Sequence, residues 1–81
     1  MTNTSEIRPI GDIALDICND WKNVHYAAKP YLQAMLFLNN ATDKYGFDNA
    51  SSIVNYFLSN ASTYRGGRAK ELKAELKRAI K

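Results

Sequence analysis

The side chains with the greatest chemical reach in this sequence are few, and they stand alone. Cys18 is the only cysteine and His25 the only histidine. A thiol becomes a nucleophile when a neighbouring cation or base lowers its pKa, and no such group flanks Cys18. His25 has no hydroxyl or thiol nucleophile beside it. One thiol and one imidazole fall short of the four ligands of a structural zinc site, and a single cysteine excludes an internal disulfide. Asp12, Asp16 and Asp20 recur every four residues and place three carboxylates along one line of a helix, but no second ligand type joins them to select a metal. No catalytic residue, cofactor or metal is therefore expected, and the chain is read as a binder, not an enzyme.

Gly66-Gly67, flanked by Arg65 and Arg68 and followed by a helical pattern, could cradle a phosphate on free helix amides. The Gly-Lys-Ser/Thr ending of a P-loop is missing, and two glycines serve equally well to separate two helices. A nucleotide enzyme is out of reach.

Charge is divided unevenly. Residues 65–81 hold seven basic and two acidic groups, a net of +5, against four basic and six acidic groups in residues 1–64, a net of −2; together these give the +3 of the chain. At 100° per residue, Lys70, Lys73, Lys77 and Lys81 fall within about 80° of one another and form a ridge. With Arg65 and Arg68 they are the candidate nucleic-acid or partner contacts. Four lysines on four phosphates would give duplex binding with a salt slope of roughly −3.6, and lysine, a point charge, favours sequence-independent contacts. Cations near a helix C-terminus also complement its dipole, and a lysine face is commonly just solvated. Glu71, Glu75 and Arg78, on the other flank, suit local pairing. The aspartate line is the acidic surface candidate: it either faces the lysine ridge or stays free for a basic partner. Trp21, Tyr26, Tyr45 and Tyr64 are the interface candidates among nine aromatic residues that strain the capacity of so small a core.

The elements that must position these groups follow from apolar spacing. Ile10, Ile13, Ile17, Trp21, Val24, Ala28, Tyr31, Met35 and Leu38 step by three and four and hold one helical face. Pro30 interrupts that run and reads either as a kink or as the first turn of a second helix, as Pro9 suits the first turn of the opening one. The segment from Asn39 to Phe47 has turn chemistry, and Asp48 stands where an N-cap belongs. Ile53, Val54, Phe57, Leu58 and Ala61 mark a third helix, and Ala69, Leu72, Leu76, Ala79 and Ile80 a fourth. The predicted fold is all-α: one domain over 1–81 of three to four short helices, about 9–28, 30–40, 48–61 and 67–80, with 1–8 flexible.

At 81 residues one core is possible and two are not, so self-association is an available source of stability. No stretch approaches the roughly 20 apolar residues that span a bilayer, and Met1 to Arg8 are polar with no apolar core, so neither membrane insertion nor secretion is expected. The Asn-x-Ser/Thr triplets at Asn3, Asn40, Asn49 and Asn60 then have no meaning as glycosylation sites, and a reducing cytoplasm suits the lone thiol.

Asp20-Trp21-Lys22, Pro30-Tyr31-Leu32 with Ala34-Met35, Tyr45-Gly46, Ile53-Val54 with Tyr56-Phe57-Leu58, Arg65-Gly66 and Ala69-Lys70 together resemble small uncharacterised proteins of phages and prophages of Gram-positive bacteria. The resemblance spans most of the chain and carries no active site. It implies a protein of the bacterial host's cytoplasm that acts stoichiometrically on a host or phage macromolecule, as a regulator or inhibitor. A protein-binding module is the leading expectation; the alternative is a nucleic-acid-binding protein using the basic C-terminal helix.

Overall fold

A computed structural model describes residues 8–40, 42–46 and 48–80. In chain order they form α1 (Ile10–Asp20), α2 (Lys29–Met35), a two-stranded antiparallel hairpin of β1 (Lys44–Tyr45) and β2 (Asp48–Asn49), α3 (Ala50–Ser59) and α4 (Ala69–Ala79). The fold is mostly helical, as its periodicities require, but the hairpin corrects the all-α expectation.

α1 buries Ile10, Ile13, Ala14 and Ile17. It has no side-chain cap, because Pro9 occupies the N-cap position. Its first free amides are satisfied from a distance: Ile10 N–H donates to Asn39 O at 2.9 Å and Gly11 N–H to Leu38 O at 2.8 Å. This contact brings the chain beyond α2 against the start of α1, so closely that a β-carbon on Gly11 would lie 2.9 Å from Leu36 O.

The opening helix ends at Asp20 and does not run to residue 28 as its apolar steps suggest. Trp21 turns extended, with φ −93° and ψ 95°. That departure seats its indole in a stack on Tyr64, with ring centres 4.9 Å apart, and edge-on to Phe57 at 6.2 Å. Residues 21–28 then run irregularly into a turn in which Ala28 and Lys29 N–H donate to His25 O. Pro30 therefore separates two helices instead of kinking one, and it lies in the first turn of α2, where no donor is needed.

α2 stops at Met35, short of the expected residue 40. Leu36, Phe37 and Leu38 N–H donate to the carbonyls three residues back, a tighter winding than α-helix. The tightened turn buries Leu38 and leaves Phe37 outside. The hairpin pairs Lys44 with Asn49 and Tyr45 with Asp48, and Gly46 supplies the positive φ of its turn, +68°. Asp43 fixes its entrance by accepting N–H bonds from Asn39 and Asn40.

α3 is capped by Asn49, whose Oδ1 accepts Ser52 N–H at 2.8 Å; Asp48, the expected cap, is a strand residue instead. Ala50, Ile53, Val54 and Phe57 form its buried face. Gly66 and Gly67, at φ +79° and +49°, turn the chain into α4, which buries Ala69, Leu72 and Leu76. α1 packs between α2 and α4, and α3 lies against α2 and, less closely, α4. The assembly measures 34 × 32 × 17 Å, a slab so thin that each helix keeps one face in solvent.

Candidate functional site

The aspartate line and α4 face each other, but the groups that meet it are arginines. Asp16 accepts from Arg8 Nη1 at 2.8 Å and stands 3.6 Å from Arg68 Nη1. Arg8, the only residue of the 1–8 stretch expected to be flexible that lies among the described residues, also forks Glu75 of α4 through Nε (2.8 Å) and Nη2 (2.7 Å). Those two bonds hold the Glu75 carboxyl below its ordinary pKa, and the same partner, with Asp16, raises that of Arg8. Arg68 Nε bonds Glu71 at 3.1 Å. Local pairing of Glu71 and Glu75 with Arg78 is thereby replaced by pairing with Arg68 and Arg8. Asp12 is exposed in the first turn of α1, where its charge suits the helix dipole.

Asp20 has a separate task. It accepts the Tyr64 hydroxyl at 2.7 Å and the Arg68 N–H, at the entrance to α4, at 3.4 Å. A β-carbon on Gly67 would lie 3.2 Å from its Oδ1. The position beside Gly66-Gly67 where a phosphate would sit is thus filled by the protein's own carboxylate. Burial first, then the Asp20 bond, pushes the Tyr64 phenol above its ordinary pKa.

The lysines divide. Lys73 turns inward, donating to Ala61 O at 2.6 Å, with its ammonium 5.5 Å from the centre of the Tyr64 ring. Its pKa is lowered, chiefly by burial and then by Lys77 and Arg65. Lys70, Lys77 and Arg65 are exposed. Lys81 lies outside the described residues.

Two of the four aromatic candidates are core residues: Trp21 is 7% exposed and Tyr64 2%. Trp21 lies on the inward face that the apolar spacing already marks, whereas Tyr64 is buried by stacking on Trp21, a long-range contact that helical spacing cannot reveal. Tyr26 and Tyr45 are at the surface. Tyr26, 82% exposed, stacks on His25, whose Nδ1 accepts Ala27 N–H at 3.0 Å. Tyr45 stacks on Phe37 with ring centres 6.1 Å apart. Phe37 is 75% exposed and was missed; its place one residue before Leu38, off the buried face that links Met35 and Leu38, was the available signal. Leu36 adjoins it in sequence and is also exposed, while Tyr31 and Tyr56 form a further pair across α2 and α3.

Cys18 is half-buried against the core, and burial raises its pKa, away from the reactive thiolate. Among the described residues no group of three or more His, Cys, Asp or Glu side chains could hold a metal ion, and no helix is long and apolar enough to cross a membrane. No family model, no curated protein and no solved structure matches the chain.

Proposed function

We propose that this chain is a non-catalytic protein-binding module, a phage-encoded regulator or inhibitor that acts stoichiometrically on a host or phage protein in the bacterial cytoplasm. The observation that carries the reading is the exposed Phe37 ring held against Tyr45. Phenylalanine has no polar handle that rewards exposure, and here it is displayed by two independently fixed pieces of backbone: the tight turn after α2 and the β1–β2 hairpin. Leu36 extends the apolar surface. Such a rigid aromatic pair, ordered before binding, is the form an interface anchor takes when little conformational entropy is to be lost on association. The aspartate line supports this choice in a negative way, since Asp16 and Asp20 are engaged internally and leave only Asp12 of the three as an exposed acidic contact.

Affinity capture from a Gram-positive host lysate tests the reading, with wild type compared against Phe37→Ser combined with Tyr45→Ser. The expected result is a protein retained near one-to-one by the wild type and lost by the variant, with circular dichroism unchanged. Truncation of an anchor of this kind costs about 2 kcal/mol or more of binding free energy. Retention that the double substitution leaves intact would overturn the assignment, as would a monodisperse monomer that captures nothing.

A further inference from the structure

We infer that Arg65, Lys70, Lys73 and Lys77 form a second binding site, independent of the aromatic pair, that takes the phosphate backbone of a nucleic acid. On α4, Lys70, Lys73 and Lys77 lie within about 60° of one another, and the acidic positions Glu71 and Glu75 begin about 100° further round. The fold reinforces this separation: Glu71 and Glu75 are engaged by Arg68 and Arg8 on the side that faces α1. Among the described residues, none of the four cations pairs with a carboxylate.

The neighbouring segment contributes no carboxylate of its own, and Asp20, which reaches it from α1, bonds the Tyr64 hydroxyl and the Arg68 N–H and none of these four cations. From Asn60 to Lys70 the sequence holds no acidic residue. This stretch is brought beside the lysines by the bond from Lys73 to Ala61 O and by the placement of the Lys73 ammonium over Tyr64. Arg65, next to Tyr64, is thereby close enough to disfavour the charge on Lys73, as is Lys77. Like charges gathered without a counter-ion repel, and a bound polyanion relieves that repulsion. Ser62 and Thr63, exposed beside Ala61, supply neutral hydroxyl donors of the kind that phosphate oxygens accept.

Nucleic acid is favoured over an acidic protein surface by the cation types. Carboxylates are best gripped by the guanidinium fork, and two arginines of this region, Arg8 and Arg68, are engaged internally. What remains is mostly lysine, a point charge that serves phosphates without reading bases.

The test is fluorescence anisotropy of the intact protein with a labelled mixed-sequence DNA duplex. Four phosphate contacts give a salt slope of about −3.6, so affinity should fall about 150-fold between about 50 and 200 mM monovalent salt. Arg65→Ala with Lys77→Ala, both surface changes, should halve the slope and reduce that ratio to about 12-fold. Should the pair lose helicity by circular dichroism, Lys70→Ala alone is read instead and should bring the slope to about −2.7. Absence of binding at the lower salt overturns the inference. So does a slope that the substitutions leave unchanged, and so does polyglutamate of equal charge binding as tightly as the duplex, which assigns the cluster to an acidic protein. Phe37→Ser should leave the slope untouched, which keeps this result separate from that of the protein-binding reading.

Discussion

Replacing Gly11 with alanine should destabilise the protein, against the usual sign of that change in a helix. Alanine ordinarily gains about 1 kcal/mol over glycine in a helix interior. At Gly11 the new methyl would stand 2.9 Å from Leu36 O, 3.1 Å from Leu38 O and 3.5 Å from Leu36 C, all backbone atoms that no rotamer change can move aside. Relief to an ordinary contact of 3.4 Å requires a retreat of about 0.5 Å. The retreating segment also carries the carbonyls that accept Gly11 N–H at 2.8 Å and Ile10 N–H at 2.9 Å. Overpacking costs about 1–3 kcal/mol, and each weakened bond forfeits part of about 0.5–1.5 kcal/mol. Set against the propensity gain, the net loss is about 1–3 kcal/mol. For a domain of this size that lowers Tm by about 4–8 °C per kcal/mol. Thermal and urea melts followed by circular dichroism measure it, with an unchanged urea m-value to show that the unfolded reference is the same. A Gly11→Ala protein that melts at or above the wild-type temperature would refute the close approach of the post-α2 segment to α1.

Three further outcomes follow from the same geometry. Asn49→Ala should cost about 1 kcal/mol through loss of the bond to Ser52 N–H, whereas Asp48→Ala should cost less than half of that; comparable losses would return the cap to Asp48. Glu75 has a folded-state pKa below its unfolded value of about 4.3, so its pairing with Arg8 stabilises above that pH and is lost as pH falls through the folded value. The bidentate pair is worth about 1 kcal/mol, and Arg8→Ala should flatten the acid limb of a Tm-against-pH series; an unaltered limb would place the acid sensitivity elsewhere. Tyr64 has a folded-state pKa above its unfolded value of about 10, so stability should decline as pH rises past that point, and Tyr64→Phe should remove this part of the alkaline decline while costing about 1 kcal/mol at neutral pH.

What was legible in the sequence was which residues face inward. All nine apolar positions from Ile10 to Leu38 in the first periodic run are buried or half-buried, although the helix that defined the run ends at Asp20. The pattern survives because the turn at 25–28 and the tight winding after α2 keep nearly helical steps, so inside and outside alternate as they would in one long helix. Helix boundaries were hidden for the same reason. Trp21 leaves α1 to meet Tyr64, a partner 43 positions away that no local window contains. The hairpin was unreadable as strand because two-residue strands of Lys-Tyr and Asp-Asn have no alternating apolar set; the Asn, Thr, Asp and Gly46 of the 39–47 segment signalled a turn and nothing more.

The charged stripes were found in the sequence, but their pairing was not, and side-chain chemistry explains the difference. A line of aspartates opposite a helix rich in cations invites the simple inference that the more numerous lysines neutralise it. Planar guanidinium groups win that position because one Arg8 can fork Glu75 and still reach Asp16, three charge-assisted bonds from a single side chain. An ammonium on a flexible stem has no such geometry, and Lys73 serves instead to close a carbonyl beyond α3. Internal neutralisation therefore leaves the lysine flank without a carboxylate partner among the described residues. The two proposed surfaces also meet α1 at opposite ends, the aromatic turn at Gly11 and the Tyr64 segment at Asp20, about 14 Å apart along the axis at 1.5 Å per residue. Groups so separated and sharing no partner respond additively to substitution. Substitutions in the two proposed surfaces are therefore expected to add in their effects on stability.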